Sequence, residues 1–135
     1  MGPPGTGKTQ AMILLRELAN ITAVSDMKFA IKPCAEVVAE YQAEGMDVIR
    51  KANATHRCFD DLGSEPQNIK FYNNDLNVMR EVITARYHLW LTTGRLTHLT
   101  TNLTPEDIEK YYGERVWGRI RGMCNIFELT EPDRR

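Results

Sequence analysis

Eight consecutive residues, Gly2-Pro3-Pro4-Gly5-Thr6-Gly7-Lys8-Thr9, have the types and spacing that hold a chain of phosphates. They fit the pattern G-x-x-x-x-G-K-[ST] throughout. Glycines let successive backbone N–H groups turn inward around phosphate oxygens. A helix starting behind the loop adds unpaired N–H groups and the positive end of its dipole. Lys8 supplies a charge to the β- and γ-phosphates, and Thr9 a hydroxyl ligand for Mg²⁺. The cofactors this chemistry implies are ATP and Mg²⁺. A chance glycine-rich turn before a helix is the alternative, and the full match with a helical pattern directly behind it counts against chance.

A second group lies about fifty residues on, at Cys58-Phe59-Asp60-Asp61. Two acids at the end of an apolar strand are what nucleotide hydrolysis needs. One carboxylate, Asp60, holds the magnesium shell, and the other, Asp61, polarises the attacking water. A strand leaving the core through a polar turn (Asp61-Leu62-Gly63-Ser64) would look the same in isolation. Asn102 closes another strand-like run, and its amide can both donate to and accept from a water; Asn is equally at home in turns. Arg115 and Arg119 are four apart and share a helix face. Such a guanidinium can reach a neighbouring subunit's γ-phosphate, or simply form a solvated face beside Glu114.

The elements that must position these groups can be read from pattern. Helices are expected over Lys8–Asn20, Cys34–Glu44, Asp47–Ala52, Asp75–Trp90, from Thr104 to Gly113, and over Glu114–Met123. Leu76, Met79, Ile83, Tyr87 and Trp90 recur at steps of three or four and mark one helix face. Thr104-Pro105-Glu106-Asp107 is a strong helix start. Strands are expected near 28–32, 56–60, 96–101 and 125–129. Alternation of this kind predicts an α/β fold with a mainly parallel sheet. A phosphate loop normally follows a buried strand, and only Met1 precedes this one. The first core strand is therefore expected to be missing, with a gap between the last strand and Leu96–Thr101. A fragment, a late start, or a borrowed strand would each explain it.

Composition narrows the classes further. The 135 residues suit one domain, and 17 basic against 18 acidic residues leave a net charge of -1. Net charge alone gives no general affinity for nucleic acid; DNA binding would need a local patch. The longest apolar run, Ala11–Leu15, is too short to span a bilayer, so no membrane role is expected. Lys8 comes before any apolar stretch, which does not fit a signal peptide. The cysteines Cys34, Cys58 and Cys124 are odd in number and widely spaced, and read as reduced thiols of a cytoplasmic protein. His56, His88 and His98 share no ligand spacing. Trp90, Trp117 and the methionines read as packing.

In order, GPPGTGKT, FDDLGSEP and THLTTNLTPEDIEKYYGERVWGRI resemble the bacterial helicase-loader ATPases of the AAA+ class, the DnaC/DnaI type. IstB-type transposition helper ATPases are close relatives. The resemblance runs from Gly2 to about Leu129, and the second and third motifs are much more specific than the first. It implies a three-layer P-loop NTPase fold, with residues 1–135 a partial AAA+ core. The helicase-binding domain, the first strand and the lid of the family would be absent. It implies that Gly2, Pro3, Pro4, Gly5, Thr6, Gly7, Lys8 and Thr9 form Walker A, that Asp60 and Asp61 form Walker B, and that Asn102 is sensor 1. Arg119 would be an arginine finger acting through self-association. The implied partners are a replicative helicase and single-stranded DNA, with Arg50 and Lys51 as candidates for DNA contact. Asp61 stands where many members carry the longer Glu. A transposition helper, or an inactive nucleotide-binding fragment, remains an alternative.

Overall fold

Gly7 takes a left-handed conformation (φ 82°), and the chain passes from the loop straight into helix α1 (Lys8–Ile21). The computed structural model describes residues 1–22 and 27–130. Three strands form one parallel sheet in the order β1 (Ala30–Pro33), β2 (Arg57–Leu62), β5 (Thr97–Thr101). Between β1 and β2 run helices α2 (Cys34–Glu44) and α3 (Asp47–Asn53). Beyond β2 come the antiparallel hairpin β3 (Ile69–Phe71) and β4 (Asn74–Leu76), then helix α4 (Val78–Thr93). Helices α5 (Pro105–Tyr112) and α6 (Glu114–Met123) follow β5. Helix α1 lies against β1, β2 and β5.

The core joins Val37, Val38 and Tyr41 of α2, Phe59 and Leu62 of β2, Met79, Val82 and Ile83 of α4, and Ile108, Tyr112, Trp117 and Ile120 of α5 and α6. Burying this apolar surface drives the domain together. A buried arginine pins one end of it. Arg86 of α4 donates to Thr97 Oγ1 (2.8 Å), to the Thr55 carbonyl (2.7 Å), and to the carbonyls of Ala52 and Leu96. Burial pulls its pKa down to about 10, so it stays charged at neutral pH.

Three expectations change. Helix α4 starts at Val78 rather than Asp75, because Asp75 and Leu76 pair with Lys70 and Ile69 in the hairpin. Asn77 then caps the helix, its Oδ1 accepting from the Arg80 N–H at 2.9 Å. The hairpin itself was not expected; Tyr72 (φ 48°) and Asn73 (φ 66°) both take the left-handed conformation of a tight two-residue turn. Residues 125–129 form no strand. Among the described residues their backbone bonds run to Met1: the Met1 amine donates to Phe127 O at 2.7 Å, and the Leu129 N–H donates to Met1 O at 2.9 Å. A ladder needs several neighbouring residues, and a single residue supplies one bridge. The expected gap is present, as a groove of about 550 Å³ between β5 and this segment.

Candidate nucleotide site

The expected chemistry converges at one end of the sheet. Thr9, at the start of α1, points its hydroxyl at the Asp60 carboxylate, 2.9 and 3.0 Å from its two oxygens. The two residues are 51 apart in sequence and meet because α1 lies across β2. Both are oxygen ligands of the hard type that Mg²⁺ prefers. The ammonium of Lys8 folds back into the loop and donates to Gly2 O (2.8 Å), Pro3 O (2.6 Å) and Thr6 Oγ1 (3.3 Å). It is already aimed at the hollow of the loop, bound to neutral oxygens that an anion can displace. Gly5 (φ 80°) and Gly7 (φ 82°) give the loop its inward N–H groups. At Gly2 (φ 141°) a Cβ would lie 2.2 Å from Leu129 O, so no other residue fits beside that carbonyl.

The second acid is aimed by an irregularity in β2. Pairing with β5 shifts register between Phe59 and Leu62, and Asp61 takes a left-handed φ of 59°. A bulge re-aims a side chain that regular pleating would turn elsewhere. The Asp61 N–H donates to Thr100 Oγ1 at 2.8 Å, and the Asn102 amide donates to Asp61 Oδ1 at 3.0 Å. Ser64 closes the turn behind it, its N–H and hydroxyl reaching Asp61 O at 3.1 and 2.7 Å. The structure thus brings Lys8, Thr9, Asp60, Asp61 and Asn102 together.

Thr100 is the residue that motif reading passed over. Its hydroxyl donates to Asp60 Oδ1 at 2.6 Å while accepting from Asp61 N–H. The available signal was its position two before Asn102, on the strand next to the acidic one.

Arg119 lies apart from this cluster, on α6 against α4. Its guanidinium donates to Thr84 Oγ1 at 2.7 Å and stands 6.0 Å from the Tyr87 ring centre. Arg115 is exposed on the same helix. On α3, Arg50 sits 3.3 Å from Asp47 and Lys51 pairs with Glu44, so each basic group has an acid beside it. The thiols are buried or half-buried and unpaired by disulfides. Burial pushes Cys58 up to about 12 and Cys124 up to about 11, which keeps both protonated and unreactive.

A parallel sheet between helices, with a glycine loop and helix N-terminus meeting two acids at the strand ends, is a P-loop NTPase fold. Among solved structures, the chain is similar to a crystal structure of DnaI. The two share a TM-score of 0.71 and 20% identity over 99% of this chain and 70% of that one. The likeness carried by the motifs therefore has a counterpart in the fold. No protein-family model and no curated protein matches the chain.

Proposed function

We propose that this chain is the ATP-binding and ATP-hydrolysing AAA+ core of a helicase loader, coupling nucleotide to binding of single-stranded DNA and a replicative helicase. One observation carries the enzymatic part: the Thr9 hydroxyl and Asp60 carboxylate, from the two motifs, meet at 2.9 Å. These two oxygens fit Mg²⁺, which when bound supplies positive charge to the phosphate oxygens. The loop from Gly2 to Gly7 wraps the triphosphate, and Lys8 exchanges its loop carbonyls for β/γ oxygens. Asp61, held by Asn102, orients and polarises the water that attacks the γ-phosphorus. The bond to the leaving ADP oxygen breaks as the new P–O bond forms, and the water's proton passes toward Asp61. Arg119 completes the site of an adjacent copy, after leaving Thr84.

The loader reading draws on the DnaI-like fold and the order of the motifs. Three free thiols suit the cytoplasm, and among the described residues no helix is long and apolar enough to cross a membrane. ATP turnover by the chain, compared with Lys8→Ala and Asp61→Asn, tests the enzymatic part. Turnover abolished in both variants is expected, and equal turnover in all three rejects it. Specific activity that rises with protein concentration, and is lost in Arg119→Ala, is expected for a finger acting between copies.

A further inference from the structure

The turn behind β2 is held from inside the core. Two of its residues have positive φ, Asp61 at 59° and Gly63 at 102°. Such a conformation is uncommon outside glycine, and Asp61 keeps it only where neighbours impose it. Ser64 holds the start of the turn through Asp61 O. Glu65 holds the next part. This acid is 4% exposed, and among the described residues no salt bridge reaches it. Its Oε2 accepts from the Gly63 N–H at 2.9 Å, and its Oε1 accepts from the Tyr112 hydroxyl. Gln67 Nε2 donates to that hydroxyl at 3.3 Å and to Glu65 O at 3.2 Å. Leu103 fills the space beside Gly63, where a Cβ would stand 2.6 Å from its Cδ1.

A buried acid without a cationic partner is costly, and packing alone does not call for one. What a carboxyl group offers is two acceptor oxygens at once. Here one takes a backbone N–H two residues after Asp61, and the other takes the last residue of α5. The same stretch of chain therefore supplies two holds on Asp61. Asn102, just before α5, takes its side chain. Tyr112, at the far end of α5 and buried, takes its turn by way of Glu65. A single helix thus fixes the distance between the two holds.

We propose that Glu65 is a positioning residue: anchored by Tyr112, its carboxyl group holds the Gly63 N–H and so keeps the turn, and Asp61 with it, in the pose that aims the Asp61 side chain at the attacking water. The role rests on the reading of Asp61 as the group that polarises that water. Glu65 acts through the backbone, from a place closed to solvent.

ATP turnover, and the Kd of a non-hydrolysable ATP analogue, are measured on the full chain carrying Glu65→Ala, Glu65→Gln or Tyr112→Phe. Val82→Ala, a core cavity in α4, controls for lost stability. Glu65→Ala and Tyr112→Phe are expected to lower kcat on the order of 10-fold while Kd stays as it was. Glu65→Gln keeps an acceptor for Gly63 and should recover most of the loss. Val82→Ala should lower the melting midpoint and leave kcat unchanged. Without nucleotide, Glu65→Ala should speed exchange of the Gly63 amide on the order of 10-fold more than Val82→Ala does. Where Glu65→Ala does not fold, Tyr112→Phe carries the same readouts. Full turnover in Glu65→Ala and Tyr112→Phe, with Asp61→Asn inactive, overturns this role and leaves the ATPase reading standing. So does a loss that falls on Kd, a loss that Val82→Ala shares, or unchanged exchange at Gly63. Full turnover in Asp61→Asn, or none in the unaltered chain, overturns the ATPase reading and this role with it.

Discussion

Thr100 Oγ1 lies 2.6 Å from Asp60 Oδ1, and through this one hydroxyl β5 fixes both acids of β2. The proton goes to the Asp60 carboxylate, while the lone pairs take the Asp61 N–H at 2.8 Å. Asp60 also accepts from Thr9, so its two oxygens are held from two directions before any cation arrives. Preorganisation of this kind spares the reorganisation that binding would otherwise require.

Replacing Thr100 with valine keeps the shape and removes both bonds. A hydrogen bond to a charged group contributes roughly 1.5–3 kcal/mol, so the Mg²⁺ concentration that supports nucleotide binding is expected to rise on the order of 10–100-fold. Thr100→Ser keeps the hydroxyl and should reverse most of the rise. Titration of Mg²⁺ at fixed nucleotide, followed by calorimetry, reads the difference. Unchanged Mg²⁺ dependence in Thr100→Val would show that the hydroxyl does not position Asp60.

Asn102 holds the other acid. Its amide donates to Asp61 Oδ1 at 3.0 Å. Asn102→Ala should therefore lower ATP turnover on the order of 10–100-fold while nucleotide affinity stays as it was, as expected for loss of an oriented base. Separate measurements of kcat and of nucleotide Kd check this. A loss confined to affinity would move Asn102 from orienting Asp61 to binding.

What the sequence discloses about this site follows from how local each determinant is. The loop from Gly2 to Gly7 and the start of α1 depend on neighbouring residues, and both were legible. The cap at Thr104, which accepts from Asp107 N–H at 3.2 Å, is equally local and equally legible. The bulge at Asp61 is not, because it arises from pairing between β2 and β5, 39 residues apart at the Asp61–Thr100 contact. The Tyr72-Asn73 turn escaped notice because it lacks the usual glycine. Residues 125–129 carry strand-forming side chains, yet a strand exists only through its neighbours, and among the described residues Met1 alone pairs with them. The stripe on α4 correctly marked Met79 and Ile83 as buried, but buried Arg86 lay outside any apolar pattern.

That arginine should be one of the most sensitive positions for stability. Its donors satisfy Thr97 Oγ1 and the carbonyls of Ala52, Thr55 and Leu96, which tie α4 to β5 and to the end of α3. Arg86→Met removes the donor from buried Thr97 Oγ1 and from the carbonyl of buried Ala52, while Leu96 O keeps its bond from Arg57 N–H. Each buried acceptor left unpaired costs about 1–3 kcal/mol, so a loss of about 2–6 kcal/mol is expected. Arg86→Lys should recover little, since one ammonium cannot span a planar fork of contacts. Urea denaturation measures both, and a loss within about 0.5 kcal/mol, ordinary for a surface site, would contradict the role given to the fork.

His98 gives the fold a dependence on mild acid. It sits on β5 with its ring 4.5 Å from Phe29. Burial, then His56 and Arg86, hold its pKa below the ordinary 6.5. The unfolded chain therefore takes up the proton at a higher pH than the folded one. Stability from this group is complete above about pH 6.5 and falls as the pH drops toward the lower folded value. Thermal midpoints between pH 7.5 and 5.5, above the range where ordinary carboxylates titrate, should decline in the native chain. They should decline less in His98→Asn, which cannot take up that proton. Equal slopes for the two chains would assign the acid sensitivity to another group.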